Sequence, residues 1–262
     1  MSLFDDLLTA DAAAPRLTCY DEVTGGRTEL SGATLENWAA KIANLLRTDC
    51  GLAPGDAIAV DLPVIWQAGC LLVGAWRAEI EVLPVLPEDF AAGAAGAGAG
   101  TGAGAAPQWV FTTVEKLDAW EEAVPGVEVA VLTDDAFGRG VAECGGEVPF
   151  GVMDFAPDVR IQPDAYFGGK PNTARSLVPG MSEAELAHTV EKQKTSSEVE
   201  LVNGARLLSS GWLDADGRFS PSAWLATVAA PWAVGGSAVV VRAGSAPRLA
   251  HLADVEKAQL LG

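Results

Sequence analysis

The segment Gly168-Gly169-Lys170 combines the two residue types that phosphate-binding loops use. Glycine lets backbone N–H groups approach phosphate oxygens, and lysine supplies a compensating positive charge. A complete P-loop has the spacing G-x-x-x-x-G-K-[ST], which this segment lacks. The pattern by itself leaves a working phosphate loop, a residual anion contact and an ordinary surface turn open.

The two histidines of the chain, His188 and His251, are the next candidates for chemistry. His188 lies in a predicted helix that begins at Ser182, with Glu185 at the position of a capping box. A surface or half-buried histidine is therefore expected there. The sequence contains no G-x-S-x-G nucleophile elbow, so it does not indicate a serine hydrolase of that type.

Several short acidic groups have no histidine beside them at metal-ligand spacing, and they are predicted to be solvated faces. These groups are Glu121-Glu122, Asp134-Asp135, and Glu198 with Glu200. Cysteines show no C-x-x-C pair either, so neither a zinc knuckle nor a redox motif is indicated, and isolated buried thiols are expected. The cysteines are Cys19, Cys50, Cys70 and Cys144.

Composition limits the partners. The chain has 17 Lys and Arg against 35 Asp and Glu, a net charge of −18, which argues against binding to nucleic acid or to an anionic membrane. The acidic N-terminus does not resemble a secretory signal, so a cytoplasmic location is expected. Residues 224–241 are uncharged, but Pro231 and Gly235-Gly236 predict a helix, a turn and a buried strand rather than a membrane span.

Hydrophobic periodicity divides the chain into alternating strands and helices. Residues 16–30 predict a hairpin, and Ser31 is placed to cap a helix over 33–48. The next predicted elements are a strand over 57–62, a helix from Pro63 to Trp76, a strand over 81–86, a strand over 108–111, a helix containing Leu117 and Trp120, and a strand over 127–132. This alternation predicts an α/β fold in which helices flank layered, largely parallel sheets.

The domain prediction is a single α/β unit over 1–262 with two similar αβ halves, 16–133 and 181–262. An irregular segment over 134–180 joins them, and the Ala/Gly-rich residues 91–106 are predicted to be a flexible loop. A shift of the chain against itself superposes Leu52 on Leu208, Gly55 on Gly211, Trp76 on Trp232 and Val85 on Val241. An internal repeat and a chance match in an Ala/Val-rich chain both remain open.

A family resemblance enters between Thr28 and Val85. This segment contains TEL-x-GATL-x-NWA-x-KIANLL, then GLAPGD-x-I-x-VDLP, then LLVGAW-x-A-x-x-EVLPV. It resembles the N-terminal region of the AMP-forming adenylating enzymes, the superfamily of acyl-CoA synthetases, peptide-synthetase adenylation domains and luciferases. The later stretch SPSAWLATVAAPWAVGGSAVVV is similar to the helix and strand after that family's phosphate loop. Glu79 departs from the pattern, because the family usually has glycine there.

The resemblance places the family's phosphate loop, Y-T-S-G-T-T-G-x-P-K-G, at residues 166–177. The overlay keeps the tyrosine and the first glycine, sets an arginine where the family has its lysine, and loses most other positions. The residues carried over as a remnant contact to ATP or AMP are Tyr166, Gly169, Lys170 and Arg175. The family's ribose-binding aspartate and its C-terminal domain with a catalytic lysine have no counterpart after Ser237.

The resemblance therefore implies a short, catalytically degenerate relative of these enzymes, with no catalytic residues or metal site assigned. Three functions remain open at this point. One is a non-catalytic protein that binds a nucleotide or an acyl compound. The others are a partial adenylating enzyme that needs a partner chain, and an interaction or regulatory subunit that acts through its acidic surface. A protein partner or a homo-oligomer is compatible with all three.

Overall fold

The computed structural model of the chain describes residue 8 and residues 11–91, 106–170, 172–193 and 201–261. The Ala/Gly segment over 91–106 lies outside the described residues except at its two ends, and Glu198 and Glu200 lie outside them too. Within the described ranges, no helix has the length and apolar character needed to cross a bilayer.

The strands and helices follow one another in the alternating order that the sequence predicts. The strands are β1 (Pro15–Asp21), β2 (Gly26–Ser31), β3 (Ala57–Val60), β4 (Glu81–Leu83), β5 (Trp109–Thr112), β6 (Glu128–Val131), β7 (Met153–Asp154), β8 (Ser176–Val178), β9 (Met181–Ser182), β10 (Arg206–Ser209), β11 (Ser237–Arg242) and β12 (Gln259–Leu260). The helices are α1 (Gly32–Thr48), α2 (Trp66–Arg77), α3 (Pro87–Ala91), α4 (Leu117–Ala123), α5 (Phe155–Arg160), α6 (Glu183–Gln193), α7 (Pro221–Trp224), α8 (Ala230–Ala233) and α9 (Ala246–Glu256).

Among the described residues, the strands form two five-stranded sheets and one short antiparallel pair, β8 with β9. Sheet A has the order β12-β10-β11-β1-β2 and is parallel except for the β1–β2 hairpin. Sheet B has the order β4-β3-β5-β6-β7 and is parallel throughout. The predicted α/β fold with parallel sheets and flanking helices is confirmed.

The main hydrophobic core lies between the two sheets. Successive strand residues point to opposite faces, so Leu17 of sheet A and Ile58 of sheet B belong to this core together with helices α1 and α2. The outer face of sheet B packs against α4 through Trp120. The outer face of sheet A packs against α9 through Leu252. The result is five layers, helix, sheet, helices, sheet and helix.

Helix α1 confirms its predicted cap, whereas α2 begins later than predicted. The Ser31 hydroxyl accepts a hydrogen bond from the backbone N–H of Thr34, which satisfies one free donor of the first turn. The predicted first residue of α2 is Pro63. Ile65 still has extended backbone angles, however, and the helix begins at Trp66. The strand pairing continues instead, since the Asp61 N–H donates to the carbonyl of Phe111.

The helix before β11 passes through a proline. Between α7 and α8 the residues Leu225–Ala229 form a π-helix. Pro231 has no N–H to donate to the carbonyl four residues earlier, and the wider π turn accommodates that missing bond. The helical segment ends only near Gly235, which adopts a positive φ of 72°.

The two predicted halves do not form separate sheets. In sheet A, β1 from the first half pairs directly with β11 from the second. The intervening residues 134–180 contain β7, α5 and most of the β8 hairpin. The internal repeat itself stays a prediction.

A charge network joins both ends of the chain on sheet A. The Glu256 carboxylate accepts hydrogen bonds from the Tyr20 hydroxyl, from Arg206 at 2.5 Å and from Arg27 at 3.1 Å. Burial alone would raise the pKa of Glu256, but these three donors outweigh it and lower the pKa to about 2. The ionised carboxylate therefore stabilises the folded chain.

The contact between α1 and α2 predicts how two glycine substitutions differ. A Cβ on Gly74 would lie 2.7 Å from the Cβ of Ile42, whose branched side chain cannot rotate away, while a Cβ on Gly69 would meet a terminal methyl of Leu17 at 2.8 Å. Both substitutions to alanine gain the same helix propensity. We expect Gly74→Ala to lower the free energy of unfolding by about 1–3 kcal/mol relative to Gly69→Ala in urea titrations. Equal stability of the two variants would contradict this packing.

The charge network predicts the acid response. Because the folded-state pKa of Glu256 lies below its ordinary value, its stabilisation is present above about pH 4.5 and is lost as the pH falls towards 2. We expect Glu256→Gln to flatten the loss of stability between pH 5 and 3, measured by urea unfolding at each pH. Asp254→Asn, an exposed substitution on the same helix, is the control and should leave the wild-type slope unchanged.

Candidate functional site

A cleft of about 590 Å³ opens where the strands of sheet B end. Its walls come from residues 62–63 after β3, residues 113–116 after β5 and residues 132–134 after β6. Arg242, the last residue of β11, brings the corresponding edge of sheet A to the same cleft. The carboxyl edge of parallel strands is where open α/β sheets bind ligands, and the volume lies in the range of small-molecule sites.

Both apolar and polar side chains line the cleft. The apolar side chains are Leu62, Pro63, Val114, Leu132, Val141 and Leu213. The charged and hydroxyl side chains are Thr113, Glu115, Lys116, Thr133, Asp134, Glu147 and Arg242. A lining of this kind suits a small ligand that has both an apolar part and a polar part.

A buried carboxylate, that of Asp61, is bonded to Lys116, one of the polar residues that line the cleft. Asp61 is 2% exposed, and its Oδ1 accepts a hydrogen bond from Lys116 Nζ at 2.5 Å. Its Oδ2 accepts from the indole N–H of Trp120 at 3.0 Å. The Asp61 charge is thus compensated on both oxygens, as a buried charge requires. The Lys116 side chain remains 45% exposed at the cleft.

Arg242 is fixed between the two sheets. Its guanidinium lies 2.8 Å from the Asp21 carboxylate and 2.9 Å from the Asp134 carboxylate. Asp134 and Asp135 are predicted to be solvated; the Asp134 side chain is 40% exposed, whereas that of Asp135 is only 10% exposed, so the prediction is wrong for Asp135. Asp134 joins the bridge across the cleft, and Asp135 binds the Arg139 guanidinium and two backbone N–H groups of its own loop.

The lining acids outnumber the lining cations. Both cations are engaged by carboxylates, whereas Glu115 and Glu147 are exposed. A hydrogen bond from the Thr113 hydroxyl lowers the pKa of Glu115, which keeps it ionised at neutral pH. A ligand with several negative charges would meet repulsion here.

Of the four residues assigned to the remnant phosphate loop, Arg175 lies at the other edge of sheet B. Arg175 donates to Glu79 at 2.7 Å and to the carbonyl of Pro54 at 2.8 Å, and these acceptors precede β4 and β3. Tyr166 is half-buried against the main core, and burial raises the pKa of its hydroxyl. Gly169 and Lys170 are exposed. Their role as a nucleotide contact stays a prediction.

Glu79 and Arg175 are two of the departures from the family pattern, and they contact each other. Glu79 adopts φ 59°, a left-handed conformation that favours glycine, the residue that the resemblance leads one to expect. The ion pair with Arg175 accompanies this strained position. The guanidinium that stands at the place of the family's lysine is therefore already bound to protein.

Sequence reasoning missed Asp61, Lys116 and Arg242. Asp61 was counted as part of the predicted strand over 57–62, and Lys116 had no motif around it. Their shared signal is position, because all three lie at or just after the carboxyl end of a buried parallel strand. Among the described residues, no group of three or more His, Cys, Asp or Glu side chains has the arrangement of a metal site.

The cysteines differ in accessibility more than predicted. Cys19 and Cys70 are buried, and burial raises the pKa of both thiols. Burial and nearby carboxylates raise the pKa of Cys50 to about 12. Cys144, expected to be buried, is exposed and lines the cleft.

Solved structures with this architecture are acyl-CoA synthetases. An acyl-CoA synthetase from Brucella canis matches with a TM-score of 0.73 at 15% identity, over 99% of this chain and 47% of that one. ATP-bound MatB from Rhodopseudomonas palustris matches with a TM-score of 0.72 at 16% identity, over 100% of this chain and 49% of that one. The inhibitor-bound N-terminal domain of FACL13 from Mycobacterium tuberculosis matches with a TM-score of 0.67 at 14% identity, over 98% of this chain and 62% of that one.

The chain has the fold of the N-terminal region of an acyl-CoA synthetase. The resemblance found between Thr28 and Val85 is thereby confirmed at the level of the fold. The chain spans about half the length of the first two synthetases.

At the sequence level, a Mycobacterium tuberculosis (strain H37Rv) protein is 38% identical over 164 residues, 62% of this chain and 60% of that protein. Its name gives a numbered family and no activity. No family model matches the chain.

The environments of the cysteines predict that one thiol per folded chain reacts quickly with a thiol reagent. A thiolate reacts faster than a thiol, so burial and a raised pKa protect Cys19, Cys50 and Cys70. We expect a neutral-pH reaction with Ellman's reagent to consume one thiol quickly and the other three only after denaturation. Cys144→Ser should abolish the fast phase, and a fast phase that survives this substitution would contradict the assignment.

Proposed function

We propose that this chain is a small-molecule-binding protein with the acyl-CoA synthetase N-terminal fold, which binds an acyl compound in the cleft and does not form an acyl adenylate by itself. The observation that carries the proposal is the cleft, about 590 Å³ in volume, which is lined by both apolar and charged or hydroxyl side chains. An acyl compound has an apolar chain and a polar carboxyl end. A cleft with this mixed lining offers contacts to both parts.

The described part of the chain is less suited to binding a nucleoside triphosphate than to binding an acyl compound. Binding a triphosphate needs cations and free N–H donors around several negative charges. Lys116 and Arg242 in the cleft are engaged by Asp61, Asp21 and Asp134. Arg175, at the opposite edge of sheet B, is engaged by Glu79. This distribution supports binding without adenylation.

The second candidate is an adenylating enzyme completed by a partner chain. The observation in its favour is that ATP-bound MatB shares this fold over 100% of this chain and 49% of its own. A partner could then contribute the groups that hold ATP. Affinity purification followed by ATP–pyrophosphate exchange separates the two candidates, because exchange that appears only with a co-purifying chain would favour the enzyme.

The proposal predicts stabilisation by acyl compounds. We expect octanoate at about 100 times its Kd to add about 2.7 kcal/mol to the free energy of unfolding, visible as a raised midpoint in a thermal scan. The same ligand should slow the reaction of Cys144, which lines the cleft, but leave its rate in the denatured chain unchanged.

AMP and Mg-ATP serve as comparison ligands in the same scan, with ATP–pyrophosphate exchange measured in parallel. A midpoint raised by the nucleotides and not by the acyl compounds would overturn the assignment of ligand class. Exchange by the purified chain alone would overturn the proposal that it does not adenylate.

A further inference from the structure

We propose that Lys116 determines which head group the cleft accepts, and that it selects a compact, singly charged anion over a polyphosphate. This inference rests on the proposed function, because it concerns the ligand of the same cleft. It is carried by the pairing of a half-exposed lysine with a buried carboxylate behind the cleft wall.

The geometry leaves Lys116 able to bind a second acceptor. Its ammonium group has three N–H donors, and Asp61 takes one of them at 2.5 Å. Asp61 is 2% exposed and is held on its other oxygen by Trp120 at 3.0 Å, so it cannot follow the lysine into the cleft. The lysine is therefore anchored from behind while its remaining donors are accessible to a ligand.

Arg242 is less available for the same task. Its Nη1 already lies within 2.9 Å of carboxylates from both sheets, Asp21 and Asp134. An anion at the remaining N–H groups of this guanidinium would meet a cation whose charge two carboxylates already offset, whereas the charge of Lys116 is offset by Asp61 alone. Lys116 can accept an anion without breaking its bond to Asp61.

The electrostatics limit the charge of that anion. Lys116 and Asp61 form a formally neutral pair of which Lys116 lines the cleft, so the pair attracts as a dipole rather than as a full charge. Glu115, Asp134 and Glu147 line the same cleft and repel additional negative charge. One compact anion at Lys116 is stabilised under these conditions, whereas a second or third negative charge is not.

The ligand's apolar part has its place beside this lysine. Val114 is two residues before Lys116, and Leu132 follows the neighbouring strand β6. Both line the cleft, so a ligand that binds Lys116 has apolar side chains nearby for a hydrocarbon chain.

A series of four octyl compounds tests the head group while the apolar chain stays constant. Octanol is neutral, octylamine is cationic, octanoate carries one negative charge, and octyl phosphate at pH 8 carries close to two. Isothermal titration of the full chain should give the tightest binding for octanoate, about tenfold tighter than for octanol or octyl phosphate. Tighter binding of octylamine or octyl phosphate than of octanoate would overturn the inference.

Substitutions test the residue. Lys116→Arg keeps the cation and should keep the preference for octanoate. Lys116→Met alone leaves Asp61 buried without its cation, so the double variant Asp61→Asn with Lys116→Met removes both charges together and keeps an acceptor for Trp120. We expect this double variant to bind octanoate about tenfold more weakly and octanol as before. Lys257→Met, an exposed lysine that does not line the cleft, is the matched control.

The possible outcomes distinguish a failure of this inference from a failure of the proposed function on which it rests. If octanol and octanoate bind the wild type equally and the double variant changes neither, the cleft binds acyl chains but Lys116 does not select the head group. If none of the four compounds binds and none protects Cys144 from labelling, the proposed function itself fails.

Discussion

Both sheets bury one face against the same layer of helices, and this shared core determines where the cleft lies. Helix α2 contacts α1 through Gly74, where a Cβ would already collide with Ile42, and it approaches β1 through Gly69. Glycine at these positions lets helix and sheet backbones come close together. The carboxyl edges of β3, β5, β6 and β11 are consequently held around one opening. The cleft follows from the packing of five layers rather than from any single loop.

The cationic side chains that line this opening are paired with carboxylates. Asp61 and Lys116 form one pair, and Arg242 bridges the Asp21 and Asp134 carboxylates. At the far edge of sheet B, Glu79 and Arg175 form another pair. A site for ATP would need some of these cations free, whereas a site for a ligand with one charge and an apolar chain does not. The acidic composition of the chain, with a net charge of −18, agrees with this distribution.

The order of strands and helices could be predicted from the sequence, because the apolar spacing of each segment is local. The Ser31 cap and the strands around Ile58, Phe111 and Val129 follow from such patterns. The start of α2 could not be predicted from Pro63, because the chain stays extended to keep its pairing with β5.

The cleft could not be predicted from local sequence patterns for a similar reason. It depends on which strands become neighbours, and Arg242 reaches it from a strand that lies more than a hundred residues after Asp134. The remnant loop was predicted from a motif overlay, which fixes position along the chain but not the edge of the sheet at which the residues lie. Glu79 shows what an overlay can still indicate, since its departure from glycine coincides with a strained φ of 59°.

Photoaffinity labelling tests the central claim most directly, that an acyl compound occupies the cleft at the carboxyl edge of sheet B. The chain would be irradiated with a diazirine-bearing octanoate analogue, digested and mapped by mass spectrometry, with unlabelled octanoate as competitor. The account predicts saturable labelling in residues 113–116 and 132–134 that octanoate prevents. Labelling confined to residues 166–177, or labelling that octanoate does not reduce, would contradict it.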